Sequence, residues 1–134
     1  MMKLLCFGNS HNEKDRLALE VGKIIKKRKL RGLEVIECGL DFGEIDKLSA
    51  SELDSVVVLD VVKGLERVRF VDVEELKTSR TITAHDIDVA FYLKLLAKEG
   101  KAIKVVGIPG GMEASEAVGE VGELLSELFR KQTH

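Results

Sequence analysis

The sequence predicts an α/β protein: a single three-layer α/β/α domain spanning residues 1–134, on a mostly parallel sheet of about five strands with one antiparallel edge strand. Three observations predict it. Short, nearly continuous apolar runs occur at 3–7, 33–38, 55–59 and 102–108, the pattern of strands buried on both faces. Segments with helical apolar spacing fall between and after them. Chain breakers separate the two kinds: Gly8, Gly32, Gly100 and the run Pro109-Gly110-Gly111.

The elements follow in order. Residues 3–7 form a hydrophobic strand that exits through Gly8-Asn9, and this run is too short for a signal peptide. Over 14–29, Leu17, Val21, Ile24 and Ile25 share one helical face, with Glu20, Lys23, Lys26 and Lys27 outside it. After Gly32 a second strand covers 33–38. Residues 39–54 are mixed, with Gly39, Gly43 and a short helix at 50–53. The β-branched run at 55–59 is a buried strand that ends at Asp60. Residues 67–73 read as an edge strand, antiparallel because only about six residues connect it to its predecessor. Thr83-Ala84-His85-Asp86 matches a capping box and opens a helix to about residue 98. A last strand at 102–108 leads to a helix at 115–131, with Val118, Val121, Leu124, Leu125 and Leu128 on one face.

Composition excludes several classes. The chain has 134 residues, within the range of one domain, and 45% of them are apolar, too many for a disordered chain. Its 21 basic and 23 acidic residues give a net charge of −2, which argues against a general nucleic-acid binder. No apolar run is long enough to span a membrane. Cys6 and Cys38 read as reduced thiols of an intracellular protein, although a disulfide between them stays open. No Cys-x-x-Cys or Cys/His cluster suggests structural zinc. Amide side chains are limited to Asn9, Asn12 and Gln132, while Lys and Glu abound, a bias of hyperthermophile proteins.

In an open parallel sheet, sites form beyond the carboxyl ends of the strands. The first strand leads there to His11 and Asp15, the third delivers Asp60, and His85 opens a helix at the same end. Asp15, Asp60 and His85 can therefore converge. Two carboxylates and an imidazole suit a borderline divalent metal such as nickel, zinc or manganese, with coordination positions left open. A helix N-terminus disfavours imidazolium and keeps His85 able to ligate. Each residue also has an ordinary reading: Asp15 as a first-turn acid, His85 as a helix-start residue, His11 as solvated. The chain lacks GxGxxG, GxxxxGK[ST] and GxSxG patterns, so dinucleotide, P-loop and serine-hydrolase sites are unsupported. A receiver-like domain phosphorylated on Asp60 would need an acidic pair after the first strand and a Lys after the last. This chain has Gly8-Asn9-Ser10 and Pro109-Gly110-Gly111 there.

The ordered set Phe7-Gly8-Asn9, Lys14-Asp15, Val57-Val58-Leu59-Asp60, Thr83-Ala84-His85 and Val106-Gly107-Ile108-Pro109 resembles the hydrogenase maturation endopeptidases over about residues 3–130. Two departures stand out: Arg16 where the family often has Gly, and Glu37-Cys38-Gly39 where it usually has Asp-Gly-Gly. The resemblance implies a cytoplasmic peptidase, a monomer or weak oligomer. Its partner would be the large-subunit precursor of a nickel-iron hydrogenase, whose C-terminal extension it removes after nickel insertion. Asp15, Asp60 and His85 would be catalytic and would contact nickel presented by the substrate, and zinc or cadmium could take that place in a crystal. The segment 39–43 would contact substrate. A diverged, non-catalytic metal- or partner-binding module of the same fold is the alternative.

Overall fold

A computed structural model of the chain describes residues 2–8, 16–39, 56–71 and 103–132. The elements are β1 (Met2–Phe7), α1 (Leu17–Lys27), β2 (Leu33–Gly39), β3 (Val56–Val62), β4 (Arg69–Val71), β5 (Lys104–Pro109) and α2 (Ala114–Gln132). The five strands form one sheet in the order β2-β1-β3-β5-β4. All neighbours are parallel except β4, which runs antiparallel to β5 at the edge. The α/β class, the mostly parallel sheet and the antiparallel edge strand are thus as the sequence predicts.

Each element has a local cause. β3 is Val-Val-Val-Leu-Asp-Val-Val and is buried along its whole length, so both of its faces must be apolar or specifically used. α1 places Leu17, Ala18, Val21, Gly22 and Ile25 on its buried face, and Lys26 and Lys27 in its last turn complement the helix dipole. It begins at Leu17, later than the pattern suggests, with Arg16 at the N-cap. Its end is tight: Arg28 and Lys29 donate backbone N–H groups to Ile25 and Lys26, and Lys29 itself takes a left-handed conformation.

Alternation along the strands sorts the side chains into two cores. Leu4 and Cys6 of β1, Val57, Leu59 and Val61 of β3, and Val106 and Ile108 of β5 meet α1 and α2 on one face. Leu5, Phe7, Cys38, Val56, Val58, Val62, Val71 and Val105 bury the other. Both described helices therefore cover the same face. The helix expected over 83–98, which would complete the third layer, lies outside the described residues, as does the short helix expected at 50–53.

Two expectations need correction. β3 does not end at Asp60 but runs on through Val61 and Val62, because two more β-branched residues still find partners on β5. β4 has the expected direction, yet its partner is β5 and not its predecessor β3. The short connection passes over the place that β5 fills. Glu120 of α2 fixes that connection, its carboxylate accepting the Val68 N–H at 3.1 Å.

α1 lies unusually close to β1. A Cβ placed on Gly22 would stand 2.5 Å from Cys6 Sγ and 3.2 Å from Cys6 Cβ. Gly22→Ala gains about 1 kcal/mol of helix propensity but forces overpacking that costs about 1–3 kcal/mol. The expected result is no net stabilisation, and a loss when the helix cannot move out. In Cys6→Ala the same substitution should cost less, because the 2.5 Å approach to Sγ is gone and only the 3.2 Å approach to Cβ is left. Urea denaturation of the four proteins in this cycle measures both effects.

Candidate functional site

The parallel strands β1, β3 and β5 deliver their carboxyl ends to one side of the sheet. The chain leaves β1 toward β2 in one direction, whereas β3, β5 and β4 lie in the other, so the switch point of the topology falls between β1 and β3. Here the two ladders of β3 end at different places. Pairing with β1 stops at Cys6 opposite Leu59, while pairing with β5 continues to Val62 opposite Pro109. Asp60 is the first residue of β3 beyond its β1 neighbour.

Asp60 is only 3% exposed, and it is the one buried polar or charged side chain among the described residues. By strand alternation it shares the face of Val56, Val58 and Val62, away from α1 and α2. Its Oδ1 accepts the Val61 N–H at 2.9 Å, which orients the carboxylate. Gly107 stands opposite it in the register on β5. A Cβ at Gly107 would come within 2.6 Å of Val71 Cγ2 and 2.7 Å of Leu65 Cδ1. The wall beside Asp60 is therefore apolar and full, and residue 107 must be glycine. Burying a carboxylate in such a place costs several kcal/mol unless hydrogen bonds or charges compensate, about what a valine there would avoid.

A second feature opens near the starts of the two helices. Arg16, Leu17 and Glu20 of α1 face Gly111, Met112 and Glu113 of the β5–α2 connection across an open cleft of about 550 Å³. Arg16 Nε donates to Glu20 Oε1 at 2.9 Å, and both side chains are 43% exposed, so the pair adds little stability. It places a guanidinium and a carboxylate on the cleft wall. Gly8 donates its N–H to the Gly39 carbonyl at 2.8 Å, which ties the exits of β1 and β2 together.

Of the predicted site residues, Asp60 is the one the structure places. Asp15, His85 and His11 lie outside the described residues, as does 40–43 of the expected substrate-contacting segment. Arg16, which follows Asp15 in the chain, lines the cleft. No group of three His, Cys, Asp or Glu side chains suited to a metal is found among the described residues.

No family model and no curated protein matches the chain. Solved structures do. A structure described as the hydrogenase 3 maturation protease aligns over 90% of this chain and 86% of its own, with a TM-score of 0.65 and 17% identity. The hydrogenase maturating endopeptidase HybD from E. coli covers 95% and 93%, with a TM-score of 0.63 and 15% identity. The [NiFe] hydrogenase maturation protease HycI from Thermococcus kodakarensis covers 96% and 92%, with a TM-score of 0.56 and 20% identity. The chain has the fold of the hydrogenase maturation proteases.

Within this maturation-protease fold, the sequence pattern singled out Asp60 but missed its surroundings. Gly107 interrupts a β-branched run, and that interruption was the available signal for a crowded site. Arg16 and Glu20 show the i, i+4 spacing of a helix-surface pair, which gives no hint that they line a cleft.

The two cysteines do not serve as nucleophiles here. Cys6 lies in the core under α1 and Cys38 in the core of the opposite face, so the sheet separates them and neither is in a disulfide. The disulfide left open by the sequence is therefore excluded. Burial, aided by the proximity of Cys38 and Glu37, pushes the Cys6 thiol far above its ordinary value of 9.0. The thiolate, the reactive form, is suppressed.

The sign of the linkage is fixed by that direction. Below pH 9.0 folded and unfolded chains both hold the Cys6 proton, and above it only the folded chain does. Stability should fall as pH rises past this value, with a limiting slope near 1.4 kcal/mol per pH unit. Wild type should lose stability more steeply than Cys6→Ala between pH 8 and pH 10, as read by denaturant titration at about these pH values. Asp60→Asn retains an oxygen for the Val61 N–H. Its stability should stay within about 1 kcal/mol of wild type or rise, a result measurable in the same assay.

Proposed function

We propose that the protein is an endopeptidase of the hydrogenase maturation type. Its substrate is the large-subunit precursor of a nickel-iron hydrogenase, and it removes the C-terminal extension after nickel has been inserted. The observation that carries this reading is a carboxylate buried at the switch point of a maturation-protease fold. Carboxylates buried in such places concentrate at functional sites.

Nickel arrives as part of the substrate. Asp15, Asp60 and His85 are the residues that contact it, and their oxygen and imidazole donors suit a borderline divalent ion. Bound there, the metal supplies Lewis-acid polarisation of a carbonyl or of water. The chain's contribution is placement. The Val61 N–H holds one oxygen of Asp60 in a fixed direction, and the filled wall of Val62, Leu65 and Val71 restricts water beside the ladder. The open cleft of about 550 Å³ between the helix starts is where a segment of the precursor would lie. The buried Cys6 thiol takes no part. The work is cytoplasmic, where the precursor is assembled, and needs neither a membrane nor nucleic acid.

Arg16 favours a second reading, a diverged binding module. It stands where the family often has glycine, and its guanidinium occupies the wall of the cleft.

Incubation of the protein with nickel-loaded precursor separates the readings. Wild type should shorten the precursor by its C-terminal extension. Asp15→Asn, Asp60→Asn and His85→Ala should each lower the cleavage rate by about 100-fold or more, with unchanged circular dichroism. Precursor that stays intact with wild type, yet is retained by it and released by the same substitutions, would replace the peptidase with the binding module.

A further inference from the structure

The end of α1 and the turn after it carry more positive charge than the fold requires. Between Val21 and Leu33 the chain holds Lys23, Lys26, Lys27, Arg28, Lys29 and Arg31, and no acidic residue. All six side chains are exposed, and none enters a hydrogen bond or ion pair among the described residues. They are more than a quarter of the 21 basic residues of a chain whose net charge is −2. The helix dipole accounts for Lys26 and Lys27, which sit in the last turn of α1. It does not account for Lys29 and Arg31, which lie beyond the C-cap Arg28.

Lys29 is held against its backbone preference. Its φ is 49°, and it is the one non-glycine residue in the left-handed region among the described residues. Helix ends usually give that position to glycine or asparagine, because a Cβ crowds the backbone there. A cation is kept where the turn would close more easily without its side chain. The turn is nonetheless fixed. The Gly32 carbonyl accepts the Met2 N–H at 2.7 Å, and a Cβ on Gly32 would lie 3.5 Å from the Phe129 ring. Leu30, 45% exposed, stands out from it.

Beside Leu30, between the turn and α2, lies a hollow of about 250 Å³. Ile25, Leu125 and Phe129 give it an apolar lining, and Arg28 and Arg31 are the only charged residues around it. Glu123 and Glu127 border the shallower groove beyond, where Arg28 and Arg130 stand with them, so they do not reverse the sign of the hollow or of the turn.

We infer that this turn and hollow dock an acidic segment of a partner protein, one that seats a bulky apolar side chain in the hollow and lays carboxylates against Arg28, Arg31 and the neighbouring lysines. Six unpaired cations select an anionic partner, and the guanidinium groups match carboxylates in both charge and shape. The hollow selects a protein among anionic partners. A nucleic acid strand has no aliphatic side chain to fill it, and its bases stack on open aromatic faces, whereas Phe129 is half-buried. A lipid surface is met by a protruding apolar helix face, whereas this apolar surface is concave and only Leu30 projects. The length of α1, about 16 Å, separates this surface from the cleft at Arg16. A docked segment therefore leaves the strand ends open, and the inference holds whether or not the protein cleaves a precursor.

Selection of a library of short random peptides, displayed on phage, against the full chain tests this, with fluorescence anisotropy of the recovered peptides as the measurement. The recovered peptides should carry Asp and Glu around one Phe, Trp or Leu, and their binding should weaken with salt. Two variants remove the two halves of the recognition separately. Arg28→Glu with Arg31→Glu reverses the charge beside the hollow, and Ser126→Trp fills the hollow without changing charge. Both alter exposed side chains, so circular dichroism should match wild type, and each should weaken peptide binding by about tenfold or more. A selection that enriches no acidic and apolar pattern overturns the inference. So do peptides that bind both variants as tightly as wild type. Tighter binding to phosphatidylserine vesicles or to a single-stranded DNA oligonucleotide than to any recovered peptide, lost on charge reversal, would assign the surface to a membrane or a nucleic acid instead.

Discussion

The whole architecture hangs on the unequal pairing of β3. This strand is paired with β1 over Val56–Leu59 only, and with β5 over Val57–Val62. Where β1 departs, the sheet has a step, and the residue at that step is an aspartate instead of another valine. The apolar residues before and after it hold the strand in place on both faces. Their burial is what offsets the cost of keeping a carboxylate inside. The step, the buried charge and the switch point are therefore one feature seen at three levels: ladder register, electrostatics and topology.

The same economy explains the glycines. Gly107 and Gly22 sit where the neighbouring layer comes so near that a methyl group would collide. At Gly107 the neighbours are Leu65 and Val71, which brings β4 and its connection down onto β5. At Gly22 the neighbour is Cys6, which lets α1 settle on β1. Cysteine at that position is a small apolar side chain whose titration is suppressed, so it packs as a core residue and its chemistry is silent.

Much of this was legible in the sequence, and the failures have physical causes. Strands β1, β2 and β5 and helix α2 announce themselves by unbroken apolar runs or by a clear helical stripe. Asp60 was legible as a candidate because a carboxylate inside Val56–Val62 is costly to bury. It was misread as the strand's end because a sequence shows the cost of a charge but not the partner strand that lets pairing continue. β4 illustrates the limit of local reasoning. Its direction follows from a short connection, but its neighbour is decided by β5, which lies some thirty residues further on and competes for the same ladder on β3. The closeness of Gly22 to Cys6 leaves no mark in either local pattern, since contact across layers is not encoded by periodicity. Of the proposed trio, Asp15 and His85 lie outside the described residues, so their reading still rests on the sequence pattern.

The strand order has a consequence for how the molecule comes off the ribosome. β4 is synthesised before β5, yet its ladder exists only on β5, and β5 must enter between β4 and the already formed β3. Until residue 109 has emerged, the outer edge of β3 is open and β4 has no template. α2, which closes the helical face, comes later still. Among the described elements the sheet is thus completed late, when β5 enters between β3 and β4 and α2 closes over the helical face. A growing chain with a β-branched strand edge uncovered for that interval is what holding chaperones bind, and truncation before β5 would leave it in that state.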